Sequence, residues 1–206
     1  MIQPICIFIH NPKAAGTYIK QALNAHEIGY ISLLHNTADT MKGMYGDVVW
    51  RKAYKFAFVR NPWDRLVSWY YFIIQTKIKP NIKRISFPEF INIVCDDDSE
   101  SLISQSAKLY PSFWKTILDL DYNKSFNQHA FTSDVDFIGR FENFNNDLKT
   151  VMYALGAKQY LSSPAQNTST HKNYHEYYTP ELVKKVEKKF QKDIELFGYR
   201  TDTYTT

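Results

Sequence analysis

Two cysteines in 206 residues give little scope for a disulfide framework, and no C-x-x-C pair or His/Cys cluster suggests a metal. Cys6 sits inside the apolar run Ile5-Cys6-Ile7-Phe8-Ile9, so a buried free thiol is expected rather than a bridge. Long apolar runs are missing as well. The Ile5 to Ile9 run is too short to span a membrane and no signal-peptide pattern precedes it. The expectation is a cytoplasmic chain with no stable membrane insertion, or a Golgi-lumen one if it is cut from a longer anchored protein. Charge of one sign is in small excess only: a net +4 is too mild to argue for nucleic acid, and it suits an anionic small ligand or a polyanionic substrate. Internal repeats, low-complexity segments and linkers are absent, and no feature sets the oligomeric state.

What is present is a globular composition, with 15 Tyr and 14 Phe among 44% apolar residues. The length predicts a single domain, 1–206, able to hide roughly 70% of its unfolded surface. The lysines Lys184, Lys185, Lys188, Lys189 and Lys192 gather on one expected helix and read as its solvated face. Two N-x-[ST] triplets, at Asn123 and Asn167, are of a kind that arises by chance.

The elements alternate. Ile5–His10 reads as a buried strand, Asn11–Gly16 as a loop and Thr17–Glu27 as a helix. Tyr30–Leu34 is a second short strand. Asn36–Trp50 is helical in pieces, interrupted by Gly43 and Gly46, and Tyr54–Val59 is a third strand. Asn61 can cap, and Pro62 can open, a helix to about Lys77. Phe87–Leu120 reads as mostly helical, with Pro88 and Pro111 as starts, and Val135–Phe141 as a strand. Asn143–Leu155 is a helix stopped by Gly156, and Ser162–Tyr178 is a polar loop. Thr179 caps a last helix, Pro180–Leu196, ended by Gly198. Strand alternating with helix predicts an α/β fold, three-layered and P-loop-like, with a mainly parallel central sheet and helices on both faces. Ligands of such sheets sit at the carboxyl ends of the strands.

Two segments at that edge carry chemistry. The first is His10-Asn11-Pro12-Lys13-Ala14-Ala15-Gly16-Thr17, between the first strand and the first helix. Backbone N–H groups and the helix dipole favour an anion there. Ala14, Ala15 and Gly16 let the backbone come close, Thr17 offers a hydroxyl and Lys13 a mobile charge. The loop departs from G-x-x-x-x-G-K-[ST], because its lysine precedes the glycine. A kinase or GTPase with a standard nucleotide loop is thereby disfavoured.

The second segment is Lys55-Phe56-Ala57-Phe58-Val59-Arg60-Asn61-Pro62-Trp63-Asp64-Arg65-Leu66-Val67-Ser68. Arg60 ends the third strand and Ser68 lies about two turns into the next helix. A guanidinium matches a phosphate bidentately, and a hydroxyl adds a neutral donor. The plain alternative pairs Arg60 with Asp64 or Glu142 and makes Ser68 a packing residue. Trp63, Leu66, Val67, Tyr70 and Ile74 fall at helical spacing and read as core. Arg65 reaches either solvent or substrate.

Together these segments resemble the sulfotransferases that use 3′-phosphoadenosine 5′-phosphosulfate (PAPS). Pro-Lys-x-Ala-Gly-Thr after an Ile/Phe-rich strand is similar to their 5′-phosphosulfate loop. It is closest to the carbohydrate group that includes heparan sulfate 2-O- and chondroitin-type enzymes and bacterial relatives. The resemblance continues through Asp136 to Asn143, through Asn167-Thr168-Ser169 with Tyr174, Tyr177 and Tyr178, and through Asp193 to Tyr199. Gln128 to Asp134 resembles a shortened form of a longer family hairpin. Residues 78–127 match least and are candidates for substrate recognition.

The resemblance implies a sulfuryl transfer from PAPS, without a metal, to a hydroxyl of a carbohydrate or another acceptor. Lys13, Ala14, Ala15, Gly16 and Thr17 would hold the 5′-phosphosulfate, and Arg60 with Ser68 the 3′-phosphate. Ser169 and Lys172, on the polar loop with His171 and His175, are further anion contacts. Lys13 would also stabilise charge on the leaving oxygen. Of the six histidines, His35 is the best candidate base, since it follows the second strand at the same edge and resembles the family's base position. Glu142 is the runner-up, and His10 could line the pocket. Trp114, Tyr110 and Phe113 either stack on sugar rings or belong to the core. The competing readings are a nucleotide-dependent kinase of the same broad fold and a non-catalytic nucleotide- or glycan-binding module.

Overall fold

The structure is a computed structural model that describes residues 6–33, 35–76, 85–95, 127–160 and 172–200. The chain divides into two compact units, Met1–Arg60 with Lys124–Gln166, and Asn61–Asn123 with Asn167–Thr206.

The first unit is built on a sheet of four parallel strands in the order β2-β1-β3-β4. These are β1 Cys6–Ile9, β2 Tyr30–Ile31, β3 Tyr54–Val59 and β4 Phe137–Arg140. Strands β1 and β3 occupy the centre and are buried on both faces, which is why they read as unbroken apolar runs rather than alternating ones. The pleat still sorts their side chains. Cys6, Phe8, Phe56 and Phe58 pack with Ile19 and Leu23 of helix α1 (Gly16–Ala25) and with Leu148, Val151 and Met152 of a later helix, Phe144–Ala154. Ile7, Ile9 and Ala57 face the other way, onto Ala38, Met41 and Trp50 of helix α2 (Ala38–Lys52) and Phe131. Helices therefore cover both faces of a parallel sheet, as the alternating pattern predicts.

The local signals act as expected at several ends. Thr37 caps α2, its hydroxyl accepting from Thr40 N. Gly46 breaks that helix with φ 76°, ψ 161°, while Gly43 remains helical. Asp134 accepts from the indole of Trp50 at 2.8 Å and pairs with Lys42 at 3.3 Å. Strand β2 keeps only two residues of the expected five.

Two expectations are corrected in this unit. The segment from Gln128 is not a hairpin but a 3-10 turn, Gln128–Phe131, followed by irregular chain. Its reason is a tertiary bond network around Gln128, described below. The fourth strand is shorter than Val135–Phe141, because Phe141 already begins a 3-10 turn, Phe141–Asn143, leading into the Phe144–Ala154 helix.

The second unit is helical among its described residues: α3 Pro62–Thr76, α4 Phe87–Cys95, α6 Pro180–Lys189 and α7 Gln191–Phe197, counting Phe144–Ala154 as α5. Asn61 caps α3 through its side-chain oxygen, which accepts from Trp63 N at 3.0 Å and Asp64 N at 3.2 Å. Ser86 and Glu89 cap α4 reciprocally, a capping box. Thr179 caps α6 and Gly198, at φ 63°, ends α7. The last helix thus arrives in two pieces, parted at Phe190, and Lys192 lies on the second. Trp63, Leu66, Val67, Tyr70 and Ile74 are all buried. Arg65, left between solvent and substrate, is buried too, its guanidinium 5.3 Å from the Trp69 ring centre. Both cysteines are free and buried, and burial pushes both thiols up to about 12. No helix among the described residues is long and apolar enough to cross a membrane. Leu34, Pro111, Tyr110, Phe113, Trp114, Asn123, Asn167, Ser169 and His171 lie outside the described residues.

Candidate functional site

The turn from β1 to α1 adopts a conformation that L-residues disfavour. Lys13 (φ 63°) and Ala15 (φ 64°) both lie in the left-handed region, and Ala14 between them does not. Such alternation turns successive N–H groups toward one concave side, the geometry of an anion-binding nest. Left-handed backbone costs an L-residue roughly 1–2 kcal/mol, so the turn stores strain at the mouth of the sheet. Helix α1 starts from this turn with Ala15 at its N-cap, no side-chain cap hydrogen bond among the described residues and no acidic residue in its first turn. A helix that begins this way presents its dipole and its orphan donors to whatever anion lies beyond it.

Gly16 is required by contact rather than by torsion. A Cβ there would fall inside the imidazole of His10, which lies directly against its Cα. His10 ends β1, stacks on Phe8 at 5.5 Å and sits 4.9 Å from the ring of His35. His10 Nδ1 is buried with no hydrogen-bond partner among the described residues. Burial, and then the charges of His35 and Lys20, lower its pKa to about 3. His35 itself stands in the left-handed region, φ 59°, where the chain turns from β2 toward α2. The loop, His10 and His35 are thereby brought together at the carboxyl edge of the sheet.

Arg60, one residue past β3, belongs to the same edge. It is 7% exposed. Its Nη1 donates to the Lys13 carbonyl at 3.2 Å, and its guanidinium lies over the Phe141 ring, 3.9 Å from the centroid. Its backbone is gripped by Gln128: Arg60 N donates to Gln128 Oε1 at 2.9 Å, and Gln128 Nε2 donates to Arg60 O at 2.7 Å. Gln128 Oε1 also accepts from Asn11 Nδ2 at 3.0 Å, and Asn11 Nδ2 donates to Phe58 O at 2.8 Å. Gln128 is 0% and Asn11 1% exposed, so these amides are matched in the dry interior, where an unmade bond is costly.

Sequence reasoning missed Gln128, Asn11 and Phe141. Phe141 had a signal, since β4 pairs in parallel with β3 and brings the residue after Arg140 beside the residue after Val59. Gln128 had none, because its contacts span 117 residues to Asn11 and 68 to Arg60.

Of the other expected site residues, Lys13 is half-buried and Thr17 exposed at the head of α1, while Ala14 is buried. Glu142 is exposed, in the 3-10 turn after β4. Ser68 and Lys172 belong to the second unit. Ser68 is 3% exposed within α3. Lys172 is exposed and paired with Glu176 at 3.2 Å, and its backbone N–H donates to the Tyr177 hydroxyl.

A sequence model of the sulfotransferase family matches residues 6–200. The chain belongs to the sulfotransferase family. Among solved structures, this sulfotransferase is similar to mouse sulfotransferase SULT7A1 complexed with PAP, at 12% identity and a TM-score of 0.54, over 97% of this chain and 85% of that one. At that identity the likeness shows a shared fold. It is also similar to a sulfotransferase from Alicyclobacillus acidocaldarius, at 20% identity and a TM-score of 0.40, over 81% of this chain and 61% of that one. No curated protein matches the chain.

Proposed function

We propose that this sulfotransferase moves a sulfuryl group from PAPS to a hydroxyl of a carbohydrate. One observation carries the donor assignment: the strained turn at Lys13 and Ala15, opening an uncapped helix, is tied through the Lys13 carbonyl to Arg60. This joins a nest for one anion to a guanidinium for another within a single bonded unit. PAPS carries two such anions, at its 5′ and 3′ positions, and the solved mouse relative was complexed with PAP. The carbohydrate acceptor rests on the resemblance of the loop and the Arg60 segment to the carbohydrate group, and residues 1–206 are taken as one catalytic domain. The proposed setting is the cytoplasm, or the Golgi lumen for a longer anchored form.

Each residue then has a task. The N–H groups from Lys13 to Thr17 bind the 5′-phosphosulfate, and Arg60 binds the 3′-phosphate. Ser68, Ser169 and Lys172 keep the anion-contact roles that the resemblance implies. PAPS supplies the sulfuryl group. The acceptor oxygen bonds to sulfur in line with the bridge oxygen, whose bond to sulfur breaks. That oxygen leaves on PAP with the electron pair, and Lys13 stabilises its charge. His35 takes the acceptor proton.

The test is a comparison of PAP, adenosine 5′-monophosphate (AMP) and ATP with and without Mg²⁺ by thermal shift, followed by turnover of labelled PAPS against a glycan library. Tight PAP binding, weak AMP binding and label on a glycan support the reading. ATP dependence on Mg²⁺ supports a kinase instead, and PAP binding without turnover a binding module. Arg60→Ala should weaken PAP by roughly tenfold to a hundredfold and leave AMP unchanged, the loss expected of a charge-assisted pair.

A further inference from the structure

We infer that Gln128 is a positioning residue for donor selectivity: its buried amide acts as a surrogate strand that fixes the backbone of Arg60. The inference rests on the proposed role of Arg60 at the 3′-phosphate. Strand β3 pairs with β1 as far as Ala57 opposite Ile9, and with β4 as far as Val59 opposite Arg140. Arg60 comes next, past the end of both ladders. There the primary amide of Gln128 offers what a neighbouring strand would offer, an acceptor for the Arg60 N–H and a donor for its carbonyl, at 2.9 and 2.7 Å. The orientation of the amide follows from its partners. Only oxygen can accept from Arg60 N and Asn11 Nδ2, and only nitrogen can donate to Arg60 O.

This bracket reaches further than one residue. Asn11, held by the same Gln128 oxygen and by Phe58 O, precedes the strained Pro12–Ala15 turn by one position. Gln128 thus fixes the root of Arg60 and only shares the hold on Asn11 with Phe58 O, whose bond keeps the start of the loop in place without it. The guanidinium tip has its own holds, the Lys13 carbonyl and the Phe141 face. A tip held at one end and a backbone held at the other leave the side chain one geometry in which to meet a phosphate, and pre-organisation of that kind raises affinity by lowering the ordering cost.

The effect should be specific to the 3′-phosphate. Gln128→Leu removes the bracket while keeping similar volume, and should weaken PAP by roughly tenfold, the loss of hydrogen bonds between buried groups, with AMP affinity unchanged. Gln128→Met likewise removes the bracket at similar length and volume without burying a charge; it should show the same selective loss, and it serves if the Leu variant folds poorly. Titration calorimetry with PAP and with AMP on the full chain reads both, alongside thermal melting. In an Arg60→Ala background, Gln128→Leu should change PAP affinity no further, because the residue it positions is gone.

A loss shared equally by PAP and AMP, or one that simply adds to that of Arg60→Ala, makes Gln128 a structural residue and overturns the inference. Arg60→Ala binding PAP as well as the unaltered protein overturns the assignment of Arg60 itself. Arg60→Ala alone tells the two failures apart: it loses PAP affinity when only the Gln128 inference fails, and binds PAP normally when the assignment of Arg60 fails.

Discussion

The imidazole of His10 lies 4.9 Å from that of His35. Burial and the charges of His35 and Lys20 lower the His10 pKa to about 3, so His10 is neutral wherever the enzyme is assayed. A rate limb that rises with pH is then not the titration of His10, and the proposed base His35 is the residue to test for it. His35→Ala should remove that limb and cost roughly 10²–10⁴-fold in rate, with PAP affinity unchanged. His10→Asn should retain the limb. A limb lost in His10→Asn and kept in His35→Ala would reverse the two roles.

The same lowered pKa makes a statement about stability. Between about 3 and its unfolded value of 6.5, His10 binds a proton in the unfolded chain and refuses it in the folded one. Stability therefore falls as pH drops through that window, and above it His10 contributes no pH dependence. At pH 5 the linkage cost is about 2 kcal/mol. Denaturant titrations at pH 7.5 and 5.0 should show the native protein losing more stability on acidification than His10→Asn, by about that amount.

The strained turn supplies a pair of opposite signs. Ala15 has φ 64°, so Ala15→Gly releases left-handed strain of roughly 1–2 kcal/mol while adding unfolded-state entropy worth ~0.4–1 kcal/mol. The net change should be neutral to stabilising. Ala14 is 1% exposed and belongs to the core, so Ala14→Gly gains nothing and should destabilise. Thermal melts of the two variants check the sign of each.

Much of the chain could be read in the sequence where its determinants are local. Pro62 after Asn61, Pro180 after Thr179 and Gly198 mark helix ends with the residues that sit there, and β3 runs over the expected Tyr54–Val59. The small residues of the Lys13–Thr17 turn announced a close backbone approach. The order of the lysine and the glycine set this loop apart from a standard nucleotide loop.

What escaped is tertiary. Nothing near Gln128 says that its amide will extend β3, and the segment that resembles a shortened family hairpin forms a 3-10 turn. The reason for Gly16 is the ring of His10, six residues back, and not a turn. Strand β2 shrinks to Tyr30–Ile31 because an edge strand is set by its neighbour and not by its own propensity.

Arg60 is held by shape as well as charge, and lysine cannot reproduce that. The guanidinium bonds the Lys13 carbonyl and stacks on Phe141, and an ammonium has neither the plane nor the fork. Arg60→Lys should therefore lose nearly as much PAP affinity as Arg60→Ala. Phe141→Leu, which removes the ring and keeps an apolar side chain, should cost about 0.5–1 kcal/mol of PAP affinity. Calorimetric titration of the three variants ranks them. An Arg60→Lys variant that binds like the unaltered protein would reduce Arg60 to a point charge.

Lys13 joins a backbone task to a side-chain task, and two substitutions separate them. Its carbonyl receives Arg60 whatever the side chain, and its φ of 63° is easier for glycine than for alanine. Lys13→Gly should thus fold at least as well as Lys13→Ala, and both should leave the Arg60 bond in place. Each lacks the ammonium that we propose answers charge on the leaving bridge oxygen, a charge larger in the transition state than in bound PAPS. An interaction of that kind lowers the catalytic rate more than it lowers ground-state affinity. Single-turnover rates at saturating PAPS should fall for both variants by a similar factor, well beyond their loss of PAP affinity. A pure affinity loss with an unchanged rate would make Lys13 a holder of the nucleotide and no more, and the charge on the leaving oxygen would have to be met by the N–H groups of the turn.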